Sequence, residues 1–349
     1  MNAKTTFLVW IGVMCLSALI AACDISIDAN SSDFHHDISG GVLPWTHEEF
    51  DTADDQFTFA IFSDLYGGER DRIFNIAMAQ LNLLRPELIL SVGDLIDGGT
   101  EDRNQLTKEW NEFDTKVSVT KAPAFYVGGN HDLTNLTMRD IWTERYAARY
   151  YHFIYKNVLF LILDSEDFED QRMQGIFKAR AIALEIQAGD EPEKWTESEY
   201  FSMPERRMGT VRAEQAAYFR NVIAANPQVR WTFLFMHKPV WRNEEATEFQ
   251  SIEAALSDRP YTVINGHFHS YSLTERNGRD YIHLATTSGS QNAADDMAFD
   301  HVTLVTIAEG EPSIVNLRMD GILDKSGHIP LDGNDLCYQA SACTAVGPD

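Results

Sequence analysis

The strongest constraint in this sequence is where its polar residues fall relative to its apolar runs. Run 57–62 stops at Ser63-Asp64, and run 87–92 stops at Gly93-Asp94. Run 122–127 stops at Gly128-Gly129-Asn130-His131-Asp132. Run 229–236 stops at His237, and run 261–265 stops at Gly266-His267-Phe268-His269. Short apolar runs bounded by turn residues read as buried strands. Between the first two, Ile73, Ile76, Ala77, Leu81 and Leu84 recur at helical spacing, and a second helix is predicted over 105–116. Strands alternating with helices build a largely parallel sheet. The carboxyl ends of such strands meet at one crevice. Asp64, Asp94, Asn130, His237, His267 and His269 are therefore expected along one edge. His267 and His269, two apart in an extended segment, point the same way.

The rest of the chain frames that edge. Runs 151–155 and 158–163 flank Lys156-Asn157 and predict a hairpin. Segment 166–208 carries eleven acidic and six basic residues and a helical stretch at 176–186. It breaks the rhythm and reads as an insertion. A helix is expected within 209–225, and runs 280–285, 299–307 and 313–319 read as strands of a second sheet. Residues 56–325 thus form one large domain, with a tail over 326–349. Cys337 and Cys343 lie in that tail and read as a local disulfide in an oxidising compartment.

Composition narrows the class of function. The 349 residues carry 28 Lys and Arg against 53 Asp and Glu, a net charge of −25. A chain that acidic is a poor binder of long nucleic acid, which needs clustered cations. It can still hold small phosphorylated substrates through metals. With 44% hydrophobic residues, wholesale disorder is excluded. One apolar run is long enough to span a bilayer, which excludes a polytopic membrane protein. That run follows Lys4 and has the shape of a signal peptide over 1–22, with an uncleaved transmembrane anchor or simple secretion as the alternatives to a lipoprotein. Its end, Ile20-Ala21-Ala22-Cys23, resembles the bacterial lipobox. The resemblance implies cleavage before Cys23, lipid on its thiol, and a protein in the bacterial cell envelope facing the periplasm or exterior. Residues 23–55 hold nine acidic residues and no Lys or Arg, and read as a solvated tether containing His35 and His36.

Carboxylate, amide oxygen and imidazole together are a ligand set for borderline divalent ions. In order, the chain has Asp64-Leu65-Tyr66, Gly93-Asp94-Leu95-Ile96-Asp97, Gly129-Asn130-His131-Asp132, His237 before Lys238-Pro239, and Gly266-His267-Phe268-His269. This succession resembles the calcineurin-like metallophosphoesterases, over residues 57 to at least 269. The resemblance implies a four-layer α-β-β-α sandwich of two mixed sheets. It implies two divalent or mixed-valence ions (Mn, Fe or Zn) with Asp94 between them. Asn130, His237 and His267 would complete one shell, and Asp64 and His269 would serve the other. His131 would protonate the leaving oxygen or stabilise the transition state, with Asp132 orienting it and Asp97 supporting the ligands. The reaction implied is hydrolysis of a phosphomonoester or phosphodiester by metal-activated hydroxide. The alternatives are a non-catalytic ligand-binding lipoprotein of the same fold, or a nuclease acting on nucleotides.

Tyr66 departs from the pattern, which has His there. Either its phenolate ligates a trivalent iron, or Tyr66 only lines the pocket and leaves a weaker first site. Elsewhere the plainer reading prevails. Asp164-Ser165 ends a strand, His152, His283 and His301 sit in strand-like runs, Lys238 is a surface lysine as readily as a phosphate contact, and Thr286 to Ser290 reads equally as a site-edge loop or an ordinary turn. Insertion 166–208 is placed to cap the site and select substrate, as long insertions beside active sites often do.

Overall fold

The computed structural model describes residues 33–51 and 54–343. The signal segment, Cys23 and the first part of the expected tether lie outside the described residues. Among those described, no helix is long and apolar enough to cross a membrane.

In chain order the elements begin with β1 (Phe34–His36), β2 (Phe57–Phe62), α1 (Ile73–Leu84), β3 (Leu88–Ser91), α2 (Arg103–Val117) and β4 (Ala124–Phe125). There follow α3 (Asn130–Leu133), α4 (Leu136–Tyr146), β5 (Tyr151–Tyr155), β6 (Val158–Ile162), α5 (Asp170–Ala188) and α6 (Glu199–Ser202). The chain continues through α7 (Ala213–Ala225), β7 (Trp231–Met236), α8 (Thr247–Ala255), β8 (Tyr261–Asn265), β9 (Ser272–Arg276) and β10 (Arg279–His283). It ends with β11 (His301–Ile307), β12 (Ser313–Arg318) and α9 (Ala340–Cys343).

These strands form two mixed sheets, ordered β12-β11-β2-β3-β4 and β1-β5-β6-β7-β8-β10-β9. The central strands β2-β3-β4 and β6-β7-β8-β10 are parallel, so their carboxyl ends share an edge. Side chains along β2 alternate, as a pleated strand requires. Phe59 and Ile61 pack between the sheets with Phe160, Phe233, Phe235 and Ile264. Ala60 and Phe62 face the layer formed with α1, α2 and α4. Helices α7 and α8 cover the outer face of the other sheet through Phe219, Ile223, Phe249 and Ile252. The result is the four-layer sandwich.

Three expectations need correction. Runs 280–285, 299–307 and 313–319 do not share a sheet: β10 runs parallel to β8, whereas β11 and β12 extend the sheet of β2. Strand patterning reports burial, not partner choice. Second, the expected tether is folded over its described part. β1 pairs with β5, and Phe34 and Trp45 are buried. Ile38, Leu43 and Phe50 pack against the same inter-sheet core. His36 sits against the Trp45 ring and 3.3 Å from Glu48, so it is not solvated linker. Acidic composition hid these spaced apolar anchors. Third, the C-terminal segment is no loose tail. Ile329 and Tyr338 are buried against α1's layer, and the Cys337 carbonyl accepts from the Arg70 guanidinium at 3.0 Å. Cys337 and Cys343 are joined in a disulfide.

Phe34 touches the rings of Trp45, Phe50, Phe125 and Phe153. Phe34→Ala should lower the stability of the domain by about 3–5 kcal/mol in denaturant unfolding. An unchanged midpoint would restore the tether reading for this segment.

Candidate metal centre

Six polar side chains meet at the shared edge, and the backbone there is bent to deliver them. Asp64 and Asp94 follow β2 and β3, His237 follows β7, and His267 and His269 follow β8. Asp64, Asp94, His267 and His269 all have positive φ (48°, 56°, 88° and 54°). Such conformations are sparsely populated by residues with a Cβ and persist where the surroundings hold them. The turns are also tight. A Cβ on Gly129 would collide with the Asp94 carboxylate, and one on Gly266 with the Asp64 carboxylate.

The donor atoms form two groups that share Asp94. One is Asp94, His237 and His267; the other is Asp64, Asp94 and His269; in each, the ligand atoms lie within 4.8 Å of one another. Asn130 joins the first, with Oδ1 3.2 Å from His237 Nε2.

Each imidazole is fixed by a backbone carbonyl. His237 Nδ1 lies 2.9 Å from the Val92 carbonyl, His267 Nε2 lies 2.8 Å from that of Arg206, and His269 Nδ1 lies 2.7 Å from that of Ser290. A carbonyl only accepts, so each of these nitrogens carries the hydrogen. The opposite nitrogens are bare in the neutral rings and face the site. His237 Nε2 is 3.1 Å from Asp94 Oδ2 and 3.3 Å from His267 Nδ1, and His269 Nε2 is 3.3 Å from Asp64 Oδ1. Lone pairs converging on lone pairs repel unless a cation lies between them. Carbonyl-pinned histidines are the usual support of metal ligands. The donor set therefore fits two borderline divalent ions.

Without a metal, the protein's own charges favour an ionised Asp94 beside a protonated His237, a proton that metal binding would displace. Burial opposes ionisation of Asp94, yet His237 and His131 outweigh it and hold its carboxyl well below the usual range. Burial likewise opposes the His237 cation, but Asp94 raises its pKa to about 9. Burial, reinforced by His237 and Lys238, pushes His267 well below its usual value, leaving a neutral ligand.

The supporting residues act differently from their expected roles. Asp132 does not contact the His131 ring. It accepts from the backbone N–H groups of Leu95 (2.9 Å), Ile96 (3.2 Å) and Gly129 (2.7 Å), tying the Asp94 and Asn130 loops together. Burial, then Asp94, raises its pKa to about 8. The His131 ring is oriented instead by the Asp97 backbone carbonyl, 2.7 Å from Nδ1, while the Asp97 side chain is exposed. Tyr66 turns away. Its hydroxyl is bonded to Glu69, Lys116 lies over its ring at 5.9 Å, and it packs in the layer of α1 and α2. Burial and the nearby carboxylates raise its pKa, which disfavours a phenolate.

Lys238 is buried, paired with Glu166 at 2.8 Å and donating to the Glu205 carbonyl at 2.9 Å, so it anchors the insertion. Asp164 pairs with Arg149, and Ser165 accepts from the Lys238 N–H. His283 and His301 are buried and accept from backbone N–H groups, and His152 bonds Tyr218. Of the two readings of Thr286 to Ser290, the site-edge loop is the one the structure matches. Thr286 Oγ and Gly289 N both donate to the Asp64 carbonyl, and the Ser290 carbonyl holds His269. Arg180 on α5 was not singled out by sequence. Its Nη2 lies 3.2 Å from His131 Nε2.

A family model described as calcineurin-like phosphoesterase matches residues 57–271. The chain belongs to that family. No curated protein matches it in sequence. A dimetal phosphatase from Danio rerio has a similar structure, with a TM-score of 0.54 and 15% identity, over 74% of this chain and 95% of that one. A purple acid phosphatase from yellow lupin (Lupinus luteus) seeds aligns with a TM-score of 0.50 and 11% identity, over 76% of this chain and 52% of that one. At these identities the likeness concerns the fold.

Tyr66→Phe in iron-loaded protein should leave metal content and visible spectrum unchanged. Loss of a charge-transfer band would overturn the placement of its hydroxyl.

Proposed function

We propose that this protein is a metal-dependent phosphoester hydrolase with a dinuclear centre, tethered by lipid to a bacterial envelope. The observation that carries the hydrolase reading is the pair of donor groups sharing Asp94, with three imidazoles each pinned so that the bare nitrogen faces the carboxylates. When bound, two divalent ions supply Lewis acidity toward phosphoryl oxygens and lower the pKa of water. The chain's own groups do the rest. Asp94 and Asp64 offset the cationic charge, and the carbonyls of Val92, Arg206 and Ser290 hold the imidazoles in one tautomer. His131 stands beside the centre, its backbone N–H bonded to Asp94 Oδ1 at 2.9 Å. Its ring offers Nε2 toward the reacting phosphate for proton exchange with the leaving oxygen. Insertion 166–208 walls this edge through the Arg206 carbonyl and α5.

The test is a metal-reconstituted assay of simple monoesters against diesters, with elemental analysis of the same preparation. Asp94→Asn should lower turnover by at least about 100-fold and reduce bound metal. Equal activity in both proteins would show that this site is not the catalyst and would favour a ligand-binding role.

The envelope tether rests on Ile20-Ala21-Ala22-Cys23 alone. Cells fed labelled palmitate should label the wild-type protein and not Cys23→Ser. Labelling of both, or of neither, would reject lipid attachment at Cys23.

A further inference from the structure

The inserted segment brings one cation into the site. Arg180 lies on α5, and its residue is only 8% exposed. Its neighbours on the helix, Met173, Ile176, Ala179 and Ala183, pack with Phe168, Tyr200 and Met203, which fixes the helix over the site edge. The guanidinium lies against Gly99, where an added Cβ would come within 2.7 Å of Nη1. Nη2 donates to His131 Nε2 at 3.2 Å, and His131 Nδ1 is already committed to the Asp97 carbonyl. Among the described residues Arg180 forms no ion pair with a carboxylate. Its guanidinium is thus held at the site edge with donors left over for an anion. It has five N–H donors and a single acceptor, a neutral ring nitrogen.

We infer that Arg180 is a substrate-binding residue that grips a non-bridging oxygen of a phosphomonoester beside His131. This rests on the phosphoesterase reading of the same site. The missing anion is then the substrate's own phosphoryl group, and guanidinium forks match its oxygens in a charge-assisted way. The preference for a monoester follows from oxygen count. A monoester keeps three non-bridging oxygens, so one remains for Arg180 when two face the metal-ligand groups; a diester has only two. Before substrate arrives, the same N–H occupies the lone pair of His131 Nε2, so phosphate binding both releases that ring nitrogen and satisfies the cation. Substrate capture and readiness of His131 are thereby coupled through one side chain of the insertion.

The experiment uses the full chain, reconstituted with Mn²⁺, in wild-type, Arg180→Gln and Arg180→Lys forms. Binding of inorganic phosphate is measured by calorimetry, and KM is measured for p-nitrophenyl phosphate and for bis(p-nitrophenyl) phosphate. Arg180→Gln should weaken phosphate binding and raise the monoester KM by about 10- to 100-fold, with Arg180→Lys between it and wild type. The diester KM should stay within about threefold, and metal stoichiometry should not change. Should Arg180→Gln not fold, the lysine variant carries the same comparison. Phosphate binding equal to wild type in the variants overturns the role of Arg180. Equal losses for both esters overturn the monoester assignment. Wild-type protein that binds no phosphate overturns the phosphoesterase reading, and this inference with it.

Discussion

Two buried carboxylates set the terms for this fold. Asp64 and Asp94 are almost wholly enclosed at the ends of β2 and β3. Among the described residues, neither is paired with a lysine or arginine; the ion-pair partner of each is a histidine. Buried anions are tolerated when a cation and hydrogen bonds compensate them. The hydrogen bonds are present: backbone N–H groups of His267 and His131 reach Asp64 and Asp94 at 2.9 Å. The cationic share is left to the donor groups these carboxylates build. The positive-φ turns, the glycines that admit the carboxylates, and the carbonyls that pin the imidazoles all follow from placing two anions a few ångströms apart at one sheet edge.

Most of the site was legible in the sequence because its ligands are local in pattern. Each follows an apolar run, and parallel strands bring such positions together whatever their separation along the chain. What was not legible depends on backbone atoms or distant pairing. The Arg206 and Ser290 carbonyls that hold His267 and His269 have no sequence signature, since every residue carries a carbonyl. Asp132 and Asp97 showed in the motif, but which atom of each would matter did not: one acts through its carboxylate on three backbone N–H groups, the other through its carbonyl. Tyr66 pointed to a choice that only its direction could resolve, and Glu69 accepts its hydroxyl. The N-terminal segment misled because acidic composition outweighed five spaced apolar residues that lie over the inter-sheet core.

The insertion has its own apolar cluster, and polar contacts fasten its ends to the rest of the domain. Lys238, next to His237, joins Glu166 and the Glu205 carbonyl, while Arg139 on α4 donates to the carbonyls of Glu166 and Phe168. The two ends of the segment are thus clamped to the loops that carry the ligands. Its eleven acidic and six basic residues contribute only a small share of the net charge, its buried Glu166 is paired with Lys238, and the groups it places against the site histidines are a guanidinium and a carbonyl. Overall acidity therefore says little about the potential inside the site, where metals and Arg180 would set a positive field for an anionic substrate.

The most direct test is a count of metal ions. Titration of the purified, chelator-treated protein with Mn²⁺, followed by calorimetry, should give two ions per chain. His237→Ala and His269→Ala should each leave one, because they disable different groups on either side of Asp94. A wild-type stoichiometry of zero or one, or two ions in both variants, would contradict a dinuclear centre built on Asp94.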